Sequence, residues 1–239
     1  MNSGPVTITI DGPAGVGKTT LARGLARRLE IAYLDTGAMY RAAAWMLGPP
    51  AAEMQEDELA CRLDSMRFAL KGSGPDSRLL LGDRAIEDQV RTEEVGLLAS
   101  SIAALKVVRD YMKKSQQKMG RETSLVAEGR DMGTVVFPDA SCKFFLQADP
   151  GIRAARRCKQ LQEMGREADE KQILEQMRLR DAQDRDRAIA PLVPAPDALR
   201  IDTGSLTPEE ILDQMAAIFA DKEVRGQKSE VRGQRLNRL

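Results

Sequence analysis

Histidine is missing from all 239 residues, which excludes serine–histidine and cysteine–histidine nucleophilic catalysis and any histidine-ligated metal site. Cysteine is scarce. Cys61, Cys142 and Cys158 are scattered, odd in number and not in C-x-x-C spacing, which fits reduced thiols and excludes a zinc ribbon. No run of about 18 apolar residues exists, so no membrane span is expected. Met1–Pro5 leads into a strand pattern without a signal-peptide core, and a cytoplasmic location is expected. Net charge is also lacking, since 36 Lys and Arg balance 36 Asp and Glu; that argues against binding nucleic acid through bulk electrostatics. Whatever chemistry occurs must use Lys, Arg, Asp, Glu, hydroxyls and backbone amides. The apolar content, 42%, is enough to bury a core, and the length suits one α/β domain with an inserted subdomain. No exposed apolar helix face stands out, so a monomer is expected.

Val6–Ile10 is β-branched throughout and reads as a buried strand. After a glycine-rich turn, Leu21, Leu25 and Leu29 recur every four residues and predict an amphipathic helix. Ile31–Leu34 is a second strand, and further strands are predicted at Ser124–Ala127, Lys143–Leu146 and Leu199–Ile201. Helical stretches separate them, the alternation of a mostly parallel sheet covered by helices on both faces. Asp149-Pro150 caps a helix that Gly165 ends. Thr207-Pro-Glu-Glu210 is a capping box, followed by the apolar stripe Ile211, Met215 and Phe219. Between about Arg67 and Glu94 the rhythm breaks: Met66–Leu70, Leu79–Leu81 and Arg84–Ile86 read as short strands of a small antiparallel sheet. Past Ala220, Glu-Val-Arg-Gly-Gln at 223–227 recurs at 230–234 without apolar periodicity, and 221–239 reads as a disordered basic tail.

Gly12-Pro13-Ala14-Gly15-Val16-Gly17-Lys18-Thr19 matches G-x-x-x-x-G-K-[ST] in full, between a strand and an amphipathic helix. Its glycines let consecutive N–H groups face a phosphate chain, and the helix adds its positive end. Lys18 would bridge the β- and γ-phosphates of ATP or GTP, and Thr19 would coordinate Mg²⁺, with Thr20 beside it. The second strand ends in Leu34-Asp35-Thr36-Gly37-Ala38-Met39-Tyr40-Arg41. A helix starting near Thr36 could offer N–H groups to another anion with Arg41 as its clamp, or the segment is simply a capped turn. Arg130 and Asp131, after the third strand, are placed to meet a phosphate and a base edge, or form a surface ion pair. Arg153, Arg156 and Arg157 share one helix. Helical spacing puts Arg180, Asp184 and Arg187 on one face, either to close over a phosphoryl group or as a solvated charged face.

Together these residues resemble bacterial cytidylate (CMP) kinase. The matching segments are Ile10–Thr19, Leu34–Arg41, Val90–Val95, Glu128–Ala140 (EGRDMGTVVFPDA), Arg180–Leu192 and Ala195–Thr203, in the family's order, with coverage from about Val6 to Phe219. The resemblance implies a three-layer P-loop NTPase fold with about five parallel strands, a small antiparallel NMP-binding insert (about 61–95) and a short helical lid (150–189). The core would be 1–60, 95–150 and 190–220, in one domain spanning 1–220. It implies transfer from ATP to CMP or dCMP, with Mg²⁺. Carried over by position, Thr36, Arg41 and Arg130 resemble contacts to the acceptor phosphate or sugar, with Gly37 and Tyr40 in the same segment. Ser101, Arg109 and Asp131 resemble the cytosine readers. Asp184 with Arg180 would hold ribose hydroxyls, and Arg180 and Arg187 would reach phosphate. Arg153, Arg156 and Arg157 fall in the lid, Arg157 among the catalytic residues, with the resemblance leaving open which of the three reaches the transferring phosphoryl. A strand ending in a Walker B aspartate is not evident; Glu128 can take that place, or the metal is held by Thr19, phosphates and water. Asp35 lies near the same region.

Two rival readings are a P-loop kinase for another acceptor, such as UMP, AMP or shikimate, and a nucleotide-dependent switch. The insert and the Ser101, Arg109 and Asp131 set weigh against the first. The second lacks an Asn-Lys-x-Asp base-selecting motif and leaves the arginines without a purpose.

Overall fold

Alternation of buried β-branched segments with amphipathic helices produces the layered architecture. The computed structural model describes residues 4–236. In chain order the elements are β1 (Thr7–Asp11), α1 (Lys18–Arg28), β2 (Ala32–Asp35), α2 (Thr36–Leu47), α3 (Glu56–Asp64), β3 (Phe68–Lys71), β4 (Arg78–Leu81) and β5 (Arg84–Ala85). There follow α4 (Glu93–Ile102), α5 (Lys106–Glu122), β6 (Leu125–Gly129), β7 (Cys142–Gln147), α6 (Pro150–Glu163), α7 (Glu170–Asp186), β8 (Leu199–Asp202) and α8 (Pro208–Leu236).

Five strands form a parallel sheet in the order β2-β6-β1-β7-β8. Successive residues of β6 serve opposite faces, as strand geometry requires. Leu125 and Ala127 join Leu34, Met39, Val108 and Met112 in a core beneath α2–α5, while Val126 joins Ile8, Ile10, Leu25 and Met215 beneath α1 and α8. Strands β3, β4 and β5 pair antiparallel as a separate small sheet. Phe68, Leu70, Leu79 and Leu81 rest that sheet against the α2–α5 core.

The predicted strands are present, with shifted ends. The third runs two residues past Ala127, because parallel pairing continues through Glu128 and Gly129 against Ile10 and Asp11. Asp149 caps α6, accepting from Gly151 N at 2.7 Å, and Gly165 follows that helix with φ 72°. Arg187 lies one residue beyond α7, as its C-cap, and still meets Asp184 three residues back at 3.7 Å, as the helical spacing predicts. The chain turns away there because Leu192 N donates to Asp184 O and Pro191 cannot extend a helix.

Two expectations need correction. The 221–239 stretch reads as disordered, yet the backbone of α8 is helical through Leu236; residues 237–239 lie outside the described residues. Glu, Lys, Arg and Gln are good helix formers, and a helix nucleated on the core extends through them without apolar periodicity. The surface also holds more apolar area than expected, with Trp45 and Met46 on α2 and Leu97 on α4 each more than half exposed. Among the described residues no helix is long and apolar enough to cross a membrane.

The capping box at the start of α8 closes in both directions: Thr207 N donates to Glu210 Oε2 at 2.8 Å, and Glu210 N to Thr207 Oγ1 at 3.3 Å. Thr207→Ala should cost about 1 kcal/mol in urea denaturation, and Thr207→Ser should restore most of it. Equal loss in both variants would show that the box does not hold this helix.

Candidate active site

Sheet register decides what meets here. Asp11, the last residue of β1, pairs with Gly129 of β6, and Asp35 of β2 pairs with Glu128. The segments leaving the carboxyl ends of these strands therefore converge, where open α/β sheets bind ligands. Gly12 opens the P-loop at φ 153°, and a Cβ there would lie 2.4 Å from Leu146 O of β7. Only glycine lets the loop pass this close to the neighbouring strand. Lys18 is buried at the start of α1 and donates to Pro13 O at 2.7 Å. Burial and the charge of Arg130 push it down to about 7, against Glu128, Asp11 and Asp184.

Asp11 carries a further constraint. Its two carboxylate oxygens accept from Met132 N and Gly133 N at 2.9 and 2.8 Å. The strand that launches the P-loop is thus fastened to the turn carrying Arg130 and Asp131. Burial raises Asp11 to about 6, partly offset by the amides of Gly133 and Met132.

Thr19 Oγ1 donates to Glu128 Oε2 at 3.1 Å, so the carboxylate that closes β6 stands at the P-loop threonine. Burial and Asp35 push Glu128 above the usual carboxylate range, with Lys18 opposing them. A hydroxyl and a buried carboxylate are hard oxygen donors and fit Mg²⁺, which keeps waters and phosphate oxygens as its other ligands. Among the described residues no three acidic or thiol side chains gather as a protein-only cage. Asp35 is engaged otherwise. It caps α2 by accepting from Ala38 N, and its Oδ2 faces Arg91 at 2.9 Å and Arg41 at 3.5 Å.

Across the cleft, charges alternate. Arg109 of α5 pairs with Asp131 at 3.0 Å, both buried, and lies over the Tyr40 ring at 6.0 Å. Arg130 Nε donates to Asp184 Oδ2 at 2.7 Å. Arg187 stands between Asp131 and Asp184, at 3.9 and 3.7 Å. Burial opposes the charge on Asp184, but Arg130, Arg187 and Arg180 outweigh it and hold its carboxyl below the ordinary range. Arg41 Nε, Arg109 Nε and Arg187 Nη2 are buried donors without a hydrogen-bond partner. Buried donors are nearly always satisfied in native proteins, so three in one cleft mark a place that receives acceptors.

The structure therefore brings together Lys18, Thr19, Arg41, Tyr40, Arg109, Arg130, Asp131, Asp184 and Arg187, with Arg180 exposed on α7 beside Arg130 and Asp184. Thr36 is present, though its hydroxyl donates to Glu128 O at 2.6 Å. Gly37 lies under the Arg41 guanidinium, where a Cβ would stand 3.5 Å from Nη1. Ser101 is not joined to the Arg109–Asp131 pair; it is exposed, and its hydroxyl donates to Leu97 O one turn back. Arg157 is likewise exposed, bonded to Gln160 of its own helix at 2.8 Å. It is Arg153 that reaches the P-loop, donating to Ala14 O at 2.9 Å and to Asp181 at 2.6 Å.

Asp11, Arg91 and the bonding of Arg153 have no role in the sequence reading. For Asp11 a signal existed: a charged residue ending a strand otherwise wholly apolar or β-branched. Arg91 and Arg153 are ordinary surface-type arginines until the fold supplies Asp35 and Asp181.

The family model for cytidylate kinase matches residues 8–221. Among curated relatives, the cytidylate kinase of Maridesulfovibrio salexigens is 52% identical over 88% of this chain and 95% of its own length. That of Oleidesulfovibrio alaskensis is 54% identical over 84% and 92%, and that of Nitratidesulfovibrio vulgaris 57% over 83% and 86%.

Asp11 binds its proton more tightly folded than unfolded, so the proton-linked part of its contribution to stability is complete below pH 3.8 and is lost as pH rises through about 6, where the carboxylate keeps its two amide bonds. The stability difference between wild type and Asp11→Asn should accordingly shrink between about pH 4 and 6.5, by on the order of 2–3 kcal/mol. Urea titrations at several pH values measure it; a constant difference would show that Asp11 does not titrate in that window.

Proposed function

The chain belongs to the cytidylate kinase family, and from that premise we propose that it transfers the γ-phosphoryl group of ATP to CMP or dCMP, giving ADP and CDP or dCDP. The observation that carries this reading is the trio of unpartnered arginine donors, on Arg41, Arg109 and Arg187, gathered beside a complete P-loop. A phosphate and a cytosine ring present the acceptors those donors lack.

In this reading the P-loop amides of Gly12–Thr19 and the Lys18 ammonium hold the ATP phosphates. Thr19 and Glu128 hold Mg²⁺, which when bound neutralises phosphate charge. Arg41 and Arg130 take the acceptor phosphate, with Thr36 and Gly37 shaping the start of α2. Arg109 and Asp131 read the cytosine edge, one as donor and one as acceptor, while Tyr40 stacks the Arg109 guanidinium in place. Asp184 and Arg180 face the ribose. An acceptor phosphate oxygen is a nucleophile without a general base near neutral pH, so positioning and charge stabilisation carry the transfer. The domain plan follows: a core of 1–60, 95–150 and 190–220, an acceptor-side insert near 61–95 around β3–β5, and a lid of 150–189 on α6 and α7. The enzyme would work in the cytoplasm as a monomer, without nucleic-acid or membrane partners.

ADP release with ATP and Mg²⁺ should occur with CMP and dCMP and be far slower with UMP, AMP, GMP or shikimate. Turnover with another acceptor would keep the kinase and discard the cytosine site; none with any acceptor would remove both. Asp131→Ala leaves Arg109 buried and unpaired and should raise the CMP KM by one to two orders of magnitude, about 1.4–3 kcal/mol, with ATP affinity little changed. Equal losses for CMP and UMP would take Asp131 out of the base site. Lys18→Ala should instead lower kcat for every acceptor by roughly a hundredfold or more.

A further inference from the structure

Tyr33 is buried in β2, two residues before Asp35, and the register of β2 on β6 sets Asp35 beside Glu128. Side chains two apart on a strand share a face, so the Tyr33 ring lies diagonally across from Glu128. Its hydroxyl donates to Glu128 Oε1, while Thr19 donates to Oε2. Both oxygens of one carboxylate are therefore claimed, by donors from two different elements.

The phenol is itself held on every side. Its ring lies beneath the Arg23 guanidinium at 5.2 Å. Its N–H donates to Ser77 Oγ at 2.9 Å, and that hydroxyl donates to Gly74 O at 2.9 Å. Gly74 N in turn donates to Ile31 O at 2.7 Å. A glutamate carboxylate otherwise turns freely about its last torsion, whose energy wells are broad.

We infer that Tyr33 is a positioning residue for metal binding: it fixes the plane of the Glu128 carboxylate so that Oε2 stays directed at Thr19 and the Mg²⁺ carried by ATP. This rests on the kinase reading above. Outer partners of a ligating carboxylate tune metal affinity by tenfold or more, and a rigid carboxylate suits the strict octahedral demand of Mg²⁺.

The test is ATP binding by the full chain without acceptor, measured by calorimetry with and without Mg²⁺, together with Mn²⁺ binding to the ATP complex followed by electron paramagnetic resonance. In Tyr33→Phe the gain in ATP affinity due to Mg²⁺ should fall about tenfold, with matching loss of bound Mn²⁺. ATP affinity without metal and CMP affinity should stay within about twofold of wild type, which separates a metal effect from damage to the fold. In a Glu128→Gln background the same change should add nothing. An unchanged Mg²⁺ gain, an equal loss without metal, or an undiminished effect in the Glu128→Gln background would each overturn the inference while leaving the kinase intact. A wild-type chain whose ATP binding ignores Mg²⁺ would overturn the inference, whereas no turnover with any acceptor would overturn the kinase reading on which it rests.

Discussion

Two hydrogen bonds from the amides of Met132 and Gly133 to the Asp11 carboxylate fasten the halves of the site together. The P-loop begins one residue after Asp11, and Arg130 and Asp131 sit just before the two donor amides. Phosphoryl transfer depends on donor and acceptor being held within a fraction of an ångström of the productive line. A buried carboxylate accepting two backbone amides is a stiff connection, since neither side-chain rotation nor water can replace those bonds cheaply. Gly133 leaves the room for it: a Cβ there would stand 3.4 Å from Asp11 Oδ2 and 3.0 Å from Thr9 Oγ1.

Around that connection the cleft is a mosaic of paired charges. Asp131 with Arg109, Asp184 with Arg130, and Asp35 with Arg91 and Arg41 each set a carboxylate against a guanidinium. Burying that many charges is justified poorly by stability, because desolvation offsets much of the attraction. It is justified by preorganisation. Each carboxylate holds an arginine in one orientation with some donors used and others left over, as the bare Nε atoms of Arg41 and Arg109 show. Arginines oriented in advance need little reorganisation when an anion arrives.

How much of this was legible in the sequence divides by the range of the interaction. The strands, the small antiparallel sheet, the Asp149 cap and the Thr207 box follow from local periodicity and turn chemistry, and the structure carries all of them. Most of the cleft residues were legible too, because motif segments bring their chemistry with them. Arrangements that depend on side-chain direction were not. Ser101 bonds back to Leu97 O on its own helix, and Arg157 to Gln160 on its own, contacts that motif spacing does not encode. Tyr33 and Asp11 act through partners 95 and 121 residues away in sequence, and only strand register joins them.

The P-loop is also packed from behind by α6 and α7. Arg153 of α6 is buried, with one guanidinium nitrogen on Ala14 O of the P-loop and another on Asp181 of α7. Met177, one turn before Asp181, packs so near Gly15 that a Cβ there would lie 2.9 Å from its methyl group. The rear of the phosphate loop is therefore part of the packing surface of α6 and α7, and Gly15 carries a φ of 73° that favours glycine. Arg156, a turn along, donates to Thr203 O, and Thr203 Oγ1 donates to Val16 O. Phosphate loop, α6, α7 and the end of β8 thus share one hydrogen-bonded frame. In such a frame the carbonyls of Ala14 and Val16 are occupied from behind by Arg153 and Thr203, which leaves the loop's amides as the groups free to turn toward an anion.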